Sequence, residues 1–95
     1  MVVSAKNTQG FIYAYAEFQI LNSNGQFEDN GEYLYIQDIW IHDCWRKTGA
    51  LRRLIRLIDD HDFTRNCKYV YWVREKYNDR QTKIFPRQRL VKMGV

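Results

Sequence analysis

Residues 39–55 read Ile-Trp-Ile-His-Asp-Cys-Trp-Arg-Lys-Thr-Gly-Ala-Leu-Arg-Arg-Leu-Ile. A strand of β-branched and aromatic residues ends, a basic loop with one glycine follows, and an apolar period of helical spacing begins. Leu51, Leu54, Ile55 and Ile58 stand at i, i+3, i+4 and i+7, with Leu57 beside them, while Arg52, Arg53 and Arg56 project away from that stripe. Thr48 is a candidate cap for the helix start, and Asp59 and Asp60 oppose its dipole, so fraying by His61-Asp62 is expected. The first backbone N–H groups of such a helix, over residues 47–51, have no internal partner, and they sit at the positive end of the helix dipole. With Arg46 and Lys47 adding charge, and Gly49 lacking a Cβ, the loop has the chemistry of a phosphate cradle.

Outward from this stretch, residues 32–42 (Glu-Tyr-Leu-Tyr-Ile-Gln-Asp-Ile-Trp-Ile-His) are expected to form one long strand. Residues 11–21 form another, antiparallel to it across polar turns at Asn24-Gly25 and Asn30-Gly31. In the earlier strand Phe11, Tyr13 and Tyr15 share one face, and Ile12, Ala14, Ala16, Phe18 and Ile20 the other. After the helix, Lys68–Arg74 is a third strand, and a helical crossover lets it lie parallel to the second. Asn78-Asp79 reads as a turn, residues 82–85 as a short strand, and Pro86 as the start of a helical turn or two over 87–92. The expectation is an α+β or α/β fold with a mixed central sheet: β-β-α-β, then a short C-terminal strand and helix.

Ninety-five residues make a single domain, 1–95. With 45% hydrophobic residues, 16% aromatics and one proline, the chain is neither disordered nor of low complexity. No apolar run approaches the roughly 20 residues that span a bilayer, and the N-terminus lacks the pattern of a signal peptide, so a cytoplasmic protein without a membrane partner is expected. Cys44 and Cys67 are expected as two reduced thiols. Charge is uneven. Residues 1–45 carry one basic side chain against six acidic, a net −5, and residues 46–95 fourteen against five, a net +9. A basic half suits an anionic partner: a phosphorylated cofactor, a nucleic acid or an acidic protein.

Two other constellations lead nowhere at this level. His42, Asp43 and Cys44 carry ligand chemistry, but neighbours on a strand point to opposite faces, and adding His61 and Cys67 gives no zinc spacing. The same alternation separates Cys44 from His42 as a nucleophile and base. Tyr33, Tyr35, Trp40, Trp45, Tyr69, Tyr71 and Trp72 have the character of base-stacking residues, but filling the core of a thin sheet is the expected role.

The loop Arg46-Lys47-Thr48-Gly49-Ala50-Leu51 resembles the cofactor motif Arg/Gln-x-x-Gly-x-Gly/Ala of the GNAT family of acetyl-CoA-dependent N-acyltransferases. Residues 35–41 look like the strand that precedes the motif, Trp45 stands where an aromatic residue is common, and Leu54 and Ile55 match the helix that follows. The similarity covers about residues 32–74. A shorter likeness links Tyr71-Trp72-Val73-Arg74 and Phe85-Pro86-Arg87-Gln88-Arg89-Leu90 to small GNAT-like proteins of bacteriophages. The resemblance implies a truncated GNAT-like fold in which the strand before the motif splays from its parallel neighbour and the pantetheine arm of acetyl-CoA lies in the gap. It places Ile39, Trp40 and Ile41 along the arm, and Arg46, Lys47, Thr48, Gly49, Ala50 and Leu51 at the pyrophosphate.

The departures are specific. Leu51 stands where the family has Gly or Ala. Gln37 and Tyr35 stand where an acid is frequent, and Asp38 is expected on the opposite face. Phe85 stands where a later helix usually presents a Tyr as general acid, and the family's N-terminal strand-helix-helix portion is missing. Two readings follow: an acyl-CoA-dependent transferase acting on an amine, or a scaffold without catalysis whose basic face holds a protein or nucleic acid. One helix cannot cover both faces of a four-stranded sheet that carries many aromatics, so a homodimer is expected.

Overall fold

The computed structural model describes residues 1–76 and 79–93. The strands are β1 (Val2–Lys6), β2 (Ile12–Leu21), β3 (Tyr33–Ile41), β4 (Tyr69–Lys76) and β5 (Asp79–Pro86); the helices are α1 (Ala50–Asp59) and α2 (Arg87–Met93). The strands form one mixed sheet in the order β1-β2-β3-β4-β5, antiparallel except for the parallel pair β3–β4, whose crossover is α1. The class is therefore α+β, with five strands rather than four. The strand the sequence reading misses is β1. Only Ala5 of its five residues is buried, so its periodicity is faint, yet the Met1 ammonium donates to the Phe18 carbonyl and Phe18 N–H to the Met1 carbonyl. The last strand is longer than residues 82–85, and α2 starts just after Pro86, as a residue without an N–H favours. Of the expected turn, Asn78 lies outside the described residues.

Both helices lie on one side of the sheet and touch each other. Leu54, Ile55 and Ile58 of α1 and Leu90 of α2 are at most 1% exposed, against Ala14, Ala16 and Phe18 of β2, Leu34 and Ile36 of β3 and Val70 of β4. Complete burial of each large aliphatic or aromatic side chain contributes about 1.5–3 kcal/mol. The expected alternation in β2 holds from Ala14 onward; Ile12 lies exposed because the β1–β2 register slips beside Lys6. The turn back from β2 brings Gly31 against the β2 backbone: a Cβ there would lie 2.2 Å from the Leu21 carbonyl oxygen.

Arg87 joins the C-terminal segment to the crossover. Its guanidinium donates to the Asp59 carboxylate at 3.0 Å, to the Asp59 carbonyl at 2.8 Å, to the Cys67 carbonyl at 3.2 Å and to the Thr64 carbonyl. Thr64, fully buried, donates to the Ile58 carbonyl at 2.8 Å. One planar cation thus satisfies carbonyls at the end of α1, in the following 3₁₀ turn and before β4. Arg87→Met removes these donors and leaves partly buried acceptors unpaired. The expected loss is about 2–4 kcal/mol of unfolding free energy, read by denaturant titration, with Arg87→Lys recovering only part because a single ammonium cannot span the same acceptors.

Candidate functional site

β3 and β4 are paired only from Tyr33↔Tyr69 to Ile36↔Trp72, although β3 runs on to Ile41 and β4 to Lys76. Beyond Ile36 the two strands part. The cause is visible on the other edge of β3. Glu17 faces Asp38 but Phe18 faces Ile36, so Gln37 is an extra residue, a β-bulge that bends and twists the strand. The bulge also resets the alternation. Ile36, Ile39 and Ile41 share the helix side, and Asp38 shares the open side with Tyr35. The expectation that Asp38 lies opposite Tyr35 is therefore overturned, because one inserted residue inverts the face of everything after it.

The parting leaves backbone groups without a ladder. His42 N–H donates to the Tyr13 carbonyl at 2.8 Å, so the antiparallel alternation turns the N–H and C=O of Ile41 and Ile39 away from β2 and toward the gap. A cavity of about 370 Å³ occupies this gap, with Gln37, Asp38 and Ile39 on one wall and Trp72 and Val73 on the other. Ile39, Ile41 and Leu51 belong both to it and to a second cavity of about 450 Å³ formed with Trp45, Arg46, Lys47, Gly49 and Ala50. Together they make one groove from the split in the sheet to the start of α1.

The loop that closes the groove is built locally. After β3 a 3₁₀ turn spans Asp43–Trp45, and the His42 imidazole Nδ1 accepts the Cys44 N–H at 3.2 Å. Trp45 stacks on Tyr13 with ring centroids 4.1 Å apart, which fixes the loop against β2. The backbone then takes two left-handed residues, Lys47 (φ 65°) and Gly49 (φ 86°). Gly49 is the N-cap of α1, and its carbonyl accepts the Arg53 N–H at 3.0 Å, so the N–H groups of residues 50–52 have no helical acceptor. Thr48 does not cap the helix. Its hydroxyl turns back to the Trp45 carbonyl, and α1 starts without a side-chain cap.

Of the residues expected along a cofactor, the fold brings Ile39, Ile41, Arg46, Lys47, Gly49, Ala50 and Leu51 onto this groove. Trp40 and Thr48 stand outside its lining. Trp40, 40% exposed, stacks on Tyr15 on the sheet's other face. Gln37, Asp38, Trp45, Trp72 and Val73 were not in the expected set; Gln37 could have been found from the bulge only with the register in hand. The Tyr15 hydroxyl donates to Asp38 at 3.2 Å, and the Asp38 negative charge, then this bond, raises the Tyr15 pKa above its ordinary value.

Phe85 lies in β5, as its place in the expected strand over 82–85 requires, and is 7% exposed; it is not on a helix, where the family resemblance implies a Tyr, because the chain after β4 returns directly as an antiparallel strand. His42, Asp43 and Cys44 lie past the end of β3 rather than on it, and no group of three or more metal-binding side chains occurs among the described residues. The aromatic set expected in the core divides: Trp72 is buried, while Tyr33, Tyr35, Tyr69, Tyr71 and Trp40 lie on the face opposite the helices. No known-family model matches the chain, and no curated protein is similar to it in sequence.

The two thiols differ in kind. Cys44 is exposed beside the groove; Cys67 is buried, and its burial raises its pKa while the Arg87 charge partly opposes this. One equivalent of thiol reagent is therefore expected to react with the folded chain and two with the unfolded chain. Nothing lies within 4 Å of a Cβ added at Gly49, so Gly49→Ala tests backbone conformation alone, with an expected cost of about 1–2 kcal/mol and a smaller cost for Gly49→Asn, both read by thermal melting.

Proposed function

We propose that this chain binds an acyl-CoA, acetyl-CoA in the first instance, in the groove between the parted strands and the start of α1. The observation that carries the reading is the parting itself: backbone groups of Ile39 and Ile41 turned away from β2 face a slot lined by Gln37 and Asp38 as well as by apolar side chains, whose far end is a basic, left-handed loop at a helix start. A pantetheine arm is an amide-bearing chain that suits such an edge, and a pyrophosphate suits the free N–H groups of residues 50–52 with Arg46 and Lys47 beside them. Leu51 lines both cavities where they meet, so an extended chain running between them would pass it.

Transfer of the acyl group to an amine is the chemistry this placement favours. The amine nitrogen bonds to the thioester carbonyl carbon, the carbon–sulfur bond breaks, and the amine's proton passes through water to the departing thiolate. A backbone N–H at Ile41 would hold the oxyanion. Positioned proton transfer typically contributes 10²–10⁴-fold. Phe85 has no proton to give, and Gln37 is no base, so turnover without such help is slow.

The buried Phe85 favours a second reading: the same scaffold without catalysis, binding acyl-CoA or offering the exposed Arg52, Arg53 and Arg56 of α1 to a nucleic acid or an acidic protein. No helix among the described residues is long and apolar enough to cross a membrane.

A thermal-shift measurement separates the readings. Acetyl-CoA at about 100 times its dissociation constant stabilises a folded chain by about 2.7 kcal/mol, or about 10 °C or more for a domain this small. Arg46→Glu should abolish the shift while leaving the unliganded melting temperature nearly unchanged, because its pair with Asp43 is solvent-exposed and contributes little. No shift in the wild type at millimolar ligand would refute acyl-CoA binding. A shift without acetylation of any amine offered would select the non-catalytic scaffold.

A further inference from the structure

The geometry points to a two-fold dimer in which the helix-free faces of two sheets pack against each other. Cross-strand register places Gln19, Tyr35, Tyr71 and Ile84 in one row of that face and Tyr33, Tyr69 and Pro86 in the next. Tyr33 stacks on Tyr69 at 5.2 Å, and Tyr35 meets Tyr71 edge-on at 5.1 Å. These pairs form a continuous aromatic ridge across the parallel strands. Ile84 is 60% exposed and Tyr69 39%, and a shallow cavity of about 400 Å³ opens beside them against the turn after β2.

Charge selects the occupant. The three central strands over residues 12–21, 33–41 and 69–73 contain Glu17 and Asp38 and no lysine or arginine, so the middle of this aromatic surface offers a polyanion no cation; Lys6, Arg80 and Lys83 belong to the edge strands β1 and β5. The arginines of α1 lie on the other side of the molecule. A surface rich in Tyr with few charges has the composition of a protein–protein interface core. Its size fits a second copy. Five strands spaced about 4.8 Å apart, with about seven residues each at about 3.3 Å, outline roughly 550 Å². The relief of the aromatic side chains raises that toward the roughly 800 Å² per partner of a standard interface.

The same charges choose the symmetry. Packed sheets keep their strands within about 30° of each other, and the two-fold axis lies in the plane between them. An axis along the strands would set Glu17 and Asp38 of one copy near the same pair of the other. An axis across the strands sets those carboxylates over the Tyr33 and Tyr69 end of the partner, where phenol hydroxyls donate to them.

Light scattering at micromolar concentration tests the dimer independently of any cofactor. The expected mass is twice the 11.6 kDa of the chain. Ile84→Glu, at an exposed position, should return the mass of one chain with an unchanged far-ultraviolet spectrum. Tyr69→Glu should do the same should Ile84→Glu fail to fold. Phe63→Glu, 53% exposed after α1, should leave the dimer intact. A wild-type mass of one chain, or a dimer that survives both charged variants on the sheet, would overturn the proposal, and neither result would bear on the acetyl-CoA shift.

Discussion

The structure depends on a ladder that stops early. β3 and β4 share four residue pairs and then separate, although each strand continues for several residues. Continuing the ladder would pair every backbone group of Ile39 and Ile41, and each such bond is worth about 1 kcal/mol net. The separation therefore needs a cause. The bulge at Gln37, set by the register with β2, bends β3 away, and Trp72 and Leu51 line the space that opens. The groove, the orientation of the loop and the direction in which α1 points its free N–H groups all follow from that angle.

α1 holds its place at both ends by different means. Its start has no side-chain cap and leans on the loop, which Trp45 fastens to Tyr13 by stacking. Its end is gripped by Arg87, which reaches from α2 to Asp59 and then to the chain leading into β4. The asymmetry has a consequence for ligand binding. The N-terminal end keeps donors free and the backbone in left-handed conformations that cost energy, and the C-terminal end supplies the rigidity that makes those donors a fixed array. A partly buried ion pair with geometry this complete loses little to solvent screening compared with the exposed pairs Arg46–Asp43 and Lys68–Glu32.

Much of this was legible in the sequence, and the reasons it stopped being legible are local. The strand over 12–21 and the helix over 50–59 announce themselves because their apolar residues recur at one period, and the strand over 33–41 because of its β-branched and aromatic content, although its alternation breaks at Gln37. The loop from Arg46 to Leu51 was legible as a basic turn between a strand and a helix, because one glycine and two cations interrupt the apolar periods on either side; the residues by themselves fit a solvated turn as well as a phosphate site. β1 was not legible, since its neighbours bury only Ala5. The face of Asp38 was misjudged because a bulge leaves no mark in a sequence read one strand at a time; it exists only as a mismatch between Glu17 and Phe18 on the next strand. The tyrosines were assigned to the core by type, with some expected on a face that one helix could not cover, but which of them lie there was not legible. Their place on the uncovered face depends on how many helices the chain has to spend, a property of the whole chain rather than of any segment.

The segregation of charge then follows from the same shortage of helices. With both helices on one side, the arginines that flank the apolar stripe of α1 must face solvent there, and the sheet's other side is left to residues that tolerate both water and contact. Tyrosine meets that condition better than Leu or Val, because its ring is apolar and its hydroxyl stays hydrated. A groove at the boundary between a cationic helical side and an anionic aromatic side would orient the proposed ligand with its phosphates toward Arg46 and Lys47 and its uncharged chain along Ile39 and Ile41. On the acyl-CoA reading proposed above, the end of the ligand away from the phosphates would lie beside Asp38 and Trp72, where the carboxylates of Glu17 and Asp38 would attract a cation and repel a further phosphate group.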